Sequence, residues 1–166
     1  MPEPEWESIF RANSSIVTTA ALRVLGCVAD AEDVAQEVFI EVINKWNPAA
    51  RHSWPGLLRR MAICRALDLV RARKRTDPLE LHLVDVREAE PSELLIKREH
   101  QHQLRAAVAS LPRRESEVFC LACFERLSHE EIGDVLKISR GSVATALSKA
   151  RAKLNEMFQI VQGDIK

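Results

Sequence analysis

Apolar residues along this chain recur every three to four positions, which is the spacing of one face of an α-helix. Between positions 30 and 46, for example, Val34, Val38 and Val42 share one face while polar residues occupy the other. No segment of useful length alternates with the two-residue period of a β-strand. The pattern therefore predicts an all-α fold, with helices over 6–27, 30–46, 53–75, 92–110, 113–126, 128–136 and 140–158.

Capping residues mark where these helices begin and end. Gly26 is a plausible end signal for the first helix, and Asp30 and Ser53 are placed to cap the second and third. Ser128 and Glu131 have the spacing of a capping box, in which the hydroxyl and the carboxylate each accept from the other residue's backbone amide. Ser139 is expected to cap the final helix.

The segment 77–91 separates two groups of helices. It carries Pro78, Pro91 and scattered acids with little helical period, so it predicts a linker. We expect two small domains, over 1–76 and 92–166, with separate cores on a flexible tether. A single fused core, or burial of Gln36 together with Ile40, would contradict that expectation.

Composition narrows the possible classes of protein. The acidic N-terminus lacks a signal-peptide pattern and no apolar run reaches the length of a membrane span, so we expect a cytoplasmic protein without membrane insertion. Cys120 and Cys123 form a CxxC within an apolar run, which favours a buried helix face. A second pair of zinc ligands is missing at suitable spacing, so we expect no metal and no cofactor.

Charge is distributed in blocks, although Lys and Arg balance Asp and Glu overall. Basic residues dominate 51–75 and again 137–153, with acidic stretches between them. Two basic islands suggest two DNA-facing surfaces, and two solvated helix faces are the alternative.

The segment 128–153 has the layout of a helix-turn-helix: a short capped helix, a three-residue turn and a second capped helix. Val143, Leu147 and Leu154 would pack on the domain. Small and polar residues on the opposite face would let the helix enter a major groove. An ordinary helical hairpin with a solvated basic face remains the alternative.

One apolar residue on the second helix lies among polar ones. Ile40 falls on the same face as Asp33, Gln36, Glu37 and Asn44. Such a residue is often merely exposed, but it can also be the apolar centre of a protein contact with a polar rim.

Several motifs resemble the sigma-70 family of transcription factors. The C-terminal DNA-binding domain of that family resembles LPRRESEVF at 111–119, LSHEEIG at 127–133, SRGSV at 139–143 and LSKARAKL at 147–154. Its polymerase-binding helix resembles DAEDVAQEVF at 30–39, and its promoter-melting helix resembles RMA at 60–62 with LDLVR at 67–71. With no middle domain, the chain looks like the extracytoplasmic-function (ECF) group.

The resemblance implies a σ2-like three-helix bundle and a σ4-like helix-turn-helix domain, and a division of labour between them. Core RNA polymerase, through its β′ clamp helices, would be bound by Asp33, Gln36, Glu37, Ile40 and Asn44. The −10 promoter element would be contacted by Arg51, His52, Trp54, Arg59, Arg60, Cys64 and Arg65. The −35 element would be read by Arg140, Ser142, Ala144, Thr145, Ser148, Lys149 and Arg151.

Further partners implied by the resemblance are the polymerase β flap and an anti-sigma protein. This chain also departs from the family pattern. Cys64 and Leu57 stand where Asn and Trp are frequent, Gly133 stands where Ala is usual, and Lys137 occupies a turn position that is usually Gly.

Two other functions stay open at the level of sequence. The first is a helix-turn-helix regulator that binds DNA without polymerase. It agrees with the helix-turn-helix interpretation of 128–153 but does not explain why 30–39 resembles a polymerase-binding helix. An enzyme or redox sensor built on Cys120 and Cys123 has little support, because no catalytic constellation or phosphate-binding loop accompanies the cysteines.

Overall fold

Every regular element in the described part of the chain is a helix. The computed structural model describes residues 3–49, 53–76 and 92–163. Its α-helices are α1 (Glu3–Leu25), α2 (Val28–Lys45), α3 (Trp54–Thr76), α4 (Ser92–Ser110), α5 (Arg113–Phe119), α6 (His129–Leu136) and α7 (Arg140–Gly163). A π-helical segment, Cys120–Phe124, continues α5. The predicted all-α fold is confirmed, while the predicted linker at 77–91 lies outside the described residues.

The first three helices form a bundle around α3. Val34, Val38 and Val42 of α2 are buried, as their spacing predicts, and so are Leu58 and Ile63 of α3. Gly26 ends α1 in a left-handed conformation (φ 72°), and its amide donates to the Leu22 carbonyl over 2.7 Å. Positive φ favours glycine because it has no Cβ, so the predicted end signal is confirmed.

Asp30 does not cap α2, so that prediction was wrong. The helix begins at Val28, and Cys27 in the capping position makes no side-chain cap. Asp30 instead pairs across the bundle with Arg73, with 2.9 Å between Oδ1 and a guanidinium nitrogen. The hydrogen bond from Arg73 lowers the pKa of the Asp30 carboxyl.

The last helices form the predicted helix-turn-helix. The Glu131 amide donates to Ser128 Oγ over 3.1 Å and the Ser128 amide donates to Glu131 Oε2 over 2.7 Å, which confirms the capping box. Ser139 Oγ accepts from the Ser142 amide over 3.1 Å at the start of α7. Lys137, between the two helices, has a left-handed φ of 58°.

The two groups of helices pack against each other. The buried apolar side chains of both belong to one continuous cluster, in which α3 meets α4, α5 and α6. At Gly56 the fit is close, since a Cβ there would lie 3.0 Å from Val135 Cγ2. This differs from the expectation of two separate cores. Apolar residues nearly surround the first part of α3, so both groups can bury surface against it.

Candidate nucleic-acid and protein interfaces

The outer face of α2 carries the predicted protein contact. Side chains at all five predicted positions are exposed: Asp33, Gln36, Glu37, Ile40 and Asn44. Ile40 is 60% exposed and Ile43, one turn further along, is 52% exposed. Sequence reasoning missed Ile43, although its position three residues after Ile40 places it beside that side chain. The result is an apolar pair inside a polar rim.

The exposure of this face shows that the polar side of α2 is not part of the core. Gln36 and Ile40 both point to solvent rather than into the joined cluster, so the burial that would have excluded a protein contact there is not found. Arg65 of α3 lies beside it, 3.6 Å from Glu37, and also pairs with Glu41. The edge of the face therefore carries opposite charges side by side.

Five of the predicted −10 residues lie on α3, and the structure places four of them next to a carboxylate. Arg59 Nε is 3.1 Å from Glu125 Oε2, Arg60 is 3.8 Å from Glu117 Oε2, and Cys64 donates to Glu117 Oε1 over 3.1 Å. Arg65 is paired with the acids of α2. Arg51 and His52 lie outside the described residues.

Trp54, the predicted aromatic member of that set, packs within the fold. Its ring meets Trp6 edge-on, with 5.5 Å between the ring centroids, and it is half-buried. The structure therefore favours a packing role for this tryptophan. Trp46 remains 36% exposed at the end of α2.

A groove of about 590 Å³ lies where α2, α3 and α5 meet. Trp46 and Met61 give it apolar surface, while Arg60, Arg65 and Arg113 give it positive charge. Stacking surface beside cations is what single-stranded nucleic acid binds. Glu41 and Glu117 also line it and oppose that charge.

Glu117 and Glu125 are two further site residues that sequence reasoning missed. Both side chains are only 4% exposed, and Glu117 also lies 3.6 Å from Arg113 and 3.7 Å from Arg114. A buried carboxylate needs charged partners. The sequence marks them only as acidic residues at the two ends of the apolar run 118–124. That position does not indicate which arginines they pair with.

The recognition helix α7 presents the predicted polar face. The exposed positions are Arg140, Ser142, Ala144, Thr145, Ser148, Lys149 and Arg151. Val143, Leu147, Ala150 and Leu154 are buried, as predicted. Lys153 bonds Glu115 of α5 over 2.8 Å, which fixes α7 to the rest of the domain.

Two local features explain the close approach of α6 to the turn. A Cβ at Gly133 would come within 2.8 Å of the Ile138 carbonyl oxygen, so glycine is required where the family usually has alanine. Ile138 N donates to the Gly133 carbonyl over 3.0 Å. The turn is thus tighter than the sequence pattern alone indicates.

Cys64 and Cys120 are poorly suited to act as nucleophiles. Burial and the Glu117 carboxylate raise the pKa of Cys64 to about 12, and burial raises that of Cys120. Such thiols remain protonated at neutral pH and are poor nucleophiles. Within residues 3–49, 53–76 and 92–163, no three His, Cys, Asp or Glu side chains are grouped so that they could hold a metal.

A three-helix bundle with a polar-rimmed outer face, packed on a helix-turn-helix with an open recognition helix, defines a two-part helical protein of the DNA-binding class. The family model "Sigma-70 region 2" matches residues 9–76, and "Sigma-70, region 4" matches residues 101–154. No helix in the described part of the chain is long and apolar enough to span a bilayer.

Similar curated proteins are sigma factors from several bacteria. The chain is 30% identical over 157 residues to "ECF RNA polymerase sigma factor SigE" of Mycolicibacterium smegmatis, covering 92% of this chain and 61% of that protein. It is 27% identical to "ECF RNA polymerase sigma factor SigW" of Bacillus subtilis, covering 82% and 80%. It is also 27% identical to "RNA polymerase sigma-E factor" of Streptomyces avermitilis, covering 93% and 86%. The chain belongs to the sigma-70 family, in its ECF group.

Proposed function

We propose that this chain binds core RNA polymerase and directs it to start transcription at promoters with −10 and −35 elements. The observation that carries the proposal is the presence, in one chain, of a region 2 bundle with an exposed apolar centre and a region 4 helix-turn-helix with an exposed recognition helix. It acts as an initiation factor rather than a catalyst, and it works where bacterial RNA polymerase works, in the cytoplasm.

The outer face of α2 is the proposed contact for the polymerase β′ clamp helices. Ile40 and Ile43 supply apolar surface at the centre, and Asp33, Gln36 and Glu37 supply a polar rim. That arrangement matches protein interfaces, in which a buried apolar anchor is surrounded by polar groups that exclude water.

The −10 and −35 contacts are proposed for α3 and α7. On α3, Arg59, Arg60 and Arg65 would meet phosphates of an opened strand, and the groove beside Trp46 would accept an unpaired base. On α7, Ser148 and Thr145 can reach base edges, while Arg140, Lys149 and Arg151 suit phosphates. The C-terminal domain would also contact the β flap, and an anti-sigma protein would cover these same surfaces.

A shift assay with a promoter duplex tests this proposal against the remaining alternative, a regulator that binds DNA alone. The duplex is incubated with this protein, with core polymerase, and with both. We expect a stable, heparin-resistant complex only with both components. A specific complex formed equally well by this protein alone would favour the stand-alone regulator, which the exposed face of α7 also permits.

A further inference from the structure

Gly141 stands on the exposed side of α7, where the fold itself does not require glycine. A Cβ built there would have Ser139 Oγ as its nearest neighbour, at an ordinary contact distance of 3.9 Å. Among the described residues, the glycine with a left-handed φ is Gly26, not Gly141. Glycine in a helix costs stability relative to alanine, because it loses more conformational freedom on folding. Packing within the chain does not explain this glycine, whereas close approach of another molecule to the backbone does.

The side of α7 that lies farthest from the core contains the same glycine. A helix turns by about 100° per residue, so residues three and four positions apart lie along one line of its surface. We call this line the outer line, and its members are exposed: Gly141, Thr145, Ser148 and Ala152. It lies opposite the buried Val143 and Leu154. The outer line is therefore the part of α7 that enters a groove first.

Positive charges flank the outer line on both sides. At the same angle per residue, Lys149 lies about 70° to one side of it and Arg151 about 90° to the other. Both side chains are exposed, as is Arg140 on the side of Arg151. Cations on both sides suit phosphates on both walls of a major groove, which is about 12 Å wide. Phosphate contacts set position and carry no sequence information directly, so the bases are left to the outer line.

The side chains of the outer line limit what it can read. Arg or Lys reads guanine with two hydrogen bonds, and Asn or Gln reads adenine in the same way. The outer line has none of these residue types. Nearby Ser142 is committed to the helix cap, since its amide donates to Ser139 Oγ over 3.1 Å and the two Oγ atoms are 2.9 Å apart. Thr145 then offers a methyl group, which fits the C5 methyl of thymine.

We infer that Thr145 reads a thymine methyl group in the −35 element, and that Gly141 lets α7 approach the bases closely enough for this contact. The inference rests on the proposed function, because it takes α7 as the helix that reads the −35 element. A methyl contact selects thymine over cytosine, which has no methyl group. The hydroxyl of Ser148 can bond to several bases and adds less discrimination.

The first test removes the methyl group from the DNA. The probe is a promoter duplex taken from the start sites mapped with core polymerase and this protein. Each thymine of its upstream motif, on either strand, is replaced in turn by deoxyuridine, and binding to the assembled holoenzyme is measured by fluorescence anisotropy. One replacement should weaken binding about three- to fivefold, the loss expected for one buried methyl group. Replacements outside the motif serve as the control and should have no effect.

The second test removes the methyl group from the protein. Thr145→Ser keeps the hydroxyl, whereas Thr145→Val keeps a methyl group and loses the hydroxyl. Thr145→Ser should bind the thymine duplex about three- to fivefold more weakly than wild type and should no longer respond to deoxyuridine. Thr145→Val should still respond. The position is exposed, so both variants should fold, which thermal unfolding checks.

The third test separates contact from folding at Gly141. Gly141→Ala should leave the thermal unfolding midpoint unchanged or raise it by up to about 4 °C, because the fold has room for the Cβ. The same variant should bind the promoter duplex as holoenzyme about tenfold more weakly, because the Cβ meets the DNA. A gain or no change in stability together with a loss of binding is not expected of a residue that serves only the fold.

Three results would each overturn the inference: no thymine of the motif at which deoxyuridine weakens binding, a Thr145→Ser holoenzyme as sensitive to deoxyuridine as the wild type, or a Gly141→Ala holoenzyme that binds like the wild type. Mapped starts that share no upstream motif would instead overturn the proposed function.

Discussion

Ile40 is the residue on which the polymerase contact depends most. We expect Glu37→Lys with Ile40→Asp to weaken binding to core polymerase by about 100-fold, because Ile40→Asp puts a charge in the apolar centre and Glu37→Lys reverses a charge in its polar rim. Both side chains are exposed, so the thermal unfolding midpoint should stay within a few degrees of wild type. Binding can be measured by fluorescence anisotropy of labelled protein titrated with core polymerase.

A matched control exists on α4. Glu93 and Ile96 have the same identities and spacing as Glu37 and Ile40, and Ile96 is 56% exposed. Glu93→Lys with Ile96→Asp should leave the affinity within about twofold, an effect of under about 0.5 kcal/mol. Equal losses in the two double variants would show that the polymerase does not use the α2 face specifically.

We expect the thiols to differ in reactivity, because burial raises the pKa of Cys64 and of Cys120 whereas Cys27 is exposed. A raised pKa keeps a thiol protonated until the pH approaches that value, so Cys64, with a pKa of about 12, has almost no thiolate at pH 8. Cys27 is exposed and should react with iodoacetamide at pH 8 within minutes, whereas Cys64 and Cys120 should not react. Mass spectrometry of the peptides reads each site separately. Rapid labelling of Cys120 and Cys123 together would revive the redox alternative.

Residue exposure was predictable where helical period decides it. The outward side of α2 and the polar face of α7 follow from spacing alone, since a helix places every third or fourth residue on one side. Glu117 and Glu125 could not be predicted in the same way. Their partners on α3 lie more than fifty positions away in the chain, and only tertiary packing brings those charges together.

Among the elements, the turn of the helix-turn-helix stores conformational strain. Lys137 has a left-handed φ of 58°, which costs a residue with a Cβ about 1–2 kcal/mol. Lys137→Gly should therefore raise the free energy of unfolding by about 0.5–1 kcal/mol, after the extra chain entropy of glycine is subtracted. Urea unfolding measures the change. Lys137→Ala retains the strain and should gain nothing, so an equal gain from alanine would refute the strain argument.

Gly133→Ala should act in the opposite direction. Its new Cβ would lie 2.8 Å from the Ile138 carbonyl oxygen, so the backbone of the turn must shift. We expect a loss of about 1–3 kcal/mol in unfolding free energy and weaker DNA binding, because the turn sets the position of α7. A neutral result by urea unfolding would mean that the turn adapts freely.

The elements were predicted well where local signals are strong and poorly where tertiary contacts compete. The capping box at Ser128 and the cap at Ser139 were found because the bonds are local. Asp30 was misassigned because its carboxylate has a stronger partner, Arg73, on another helix. The π segment at Cys120–Phe124 was missed because its apolar residues also fit an ordinary helix.

For the whole molecule, the sequence indicated two helical groups but not how they meet. The spacing of apolar residues shows which side of a helix is buried, but it does not show which element covers that side. Where α4, α5 and α6 cover α3, contacts are made by Gly56, Arg71 and the carboxylates of Glu117 and Glu125. Such long-range pairings cannot be read from spacing within one chain segment.

Transcription by core RNA polymerase with this protein, on a fragmented genomic library with mapped start sites, tests the division of labour between the two groups most directly. We predict starts preceded by a shared pair of motifs near −10 and −35, with the upstream motif less conserved among the starts selected by a Lys149→Ala, Ser148→Ala variant. Starts without any shared motif, or no increase in RNA over core polymerase alone, would contradict it.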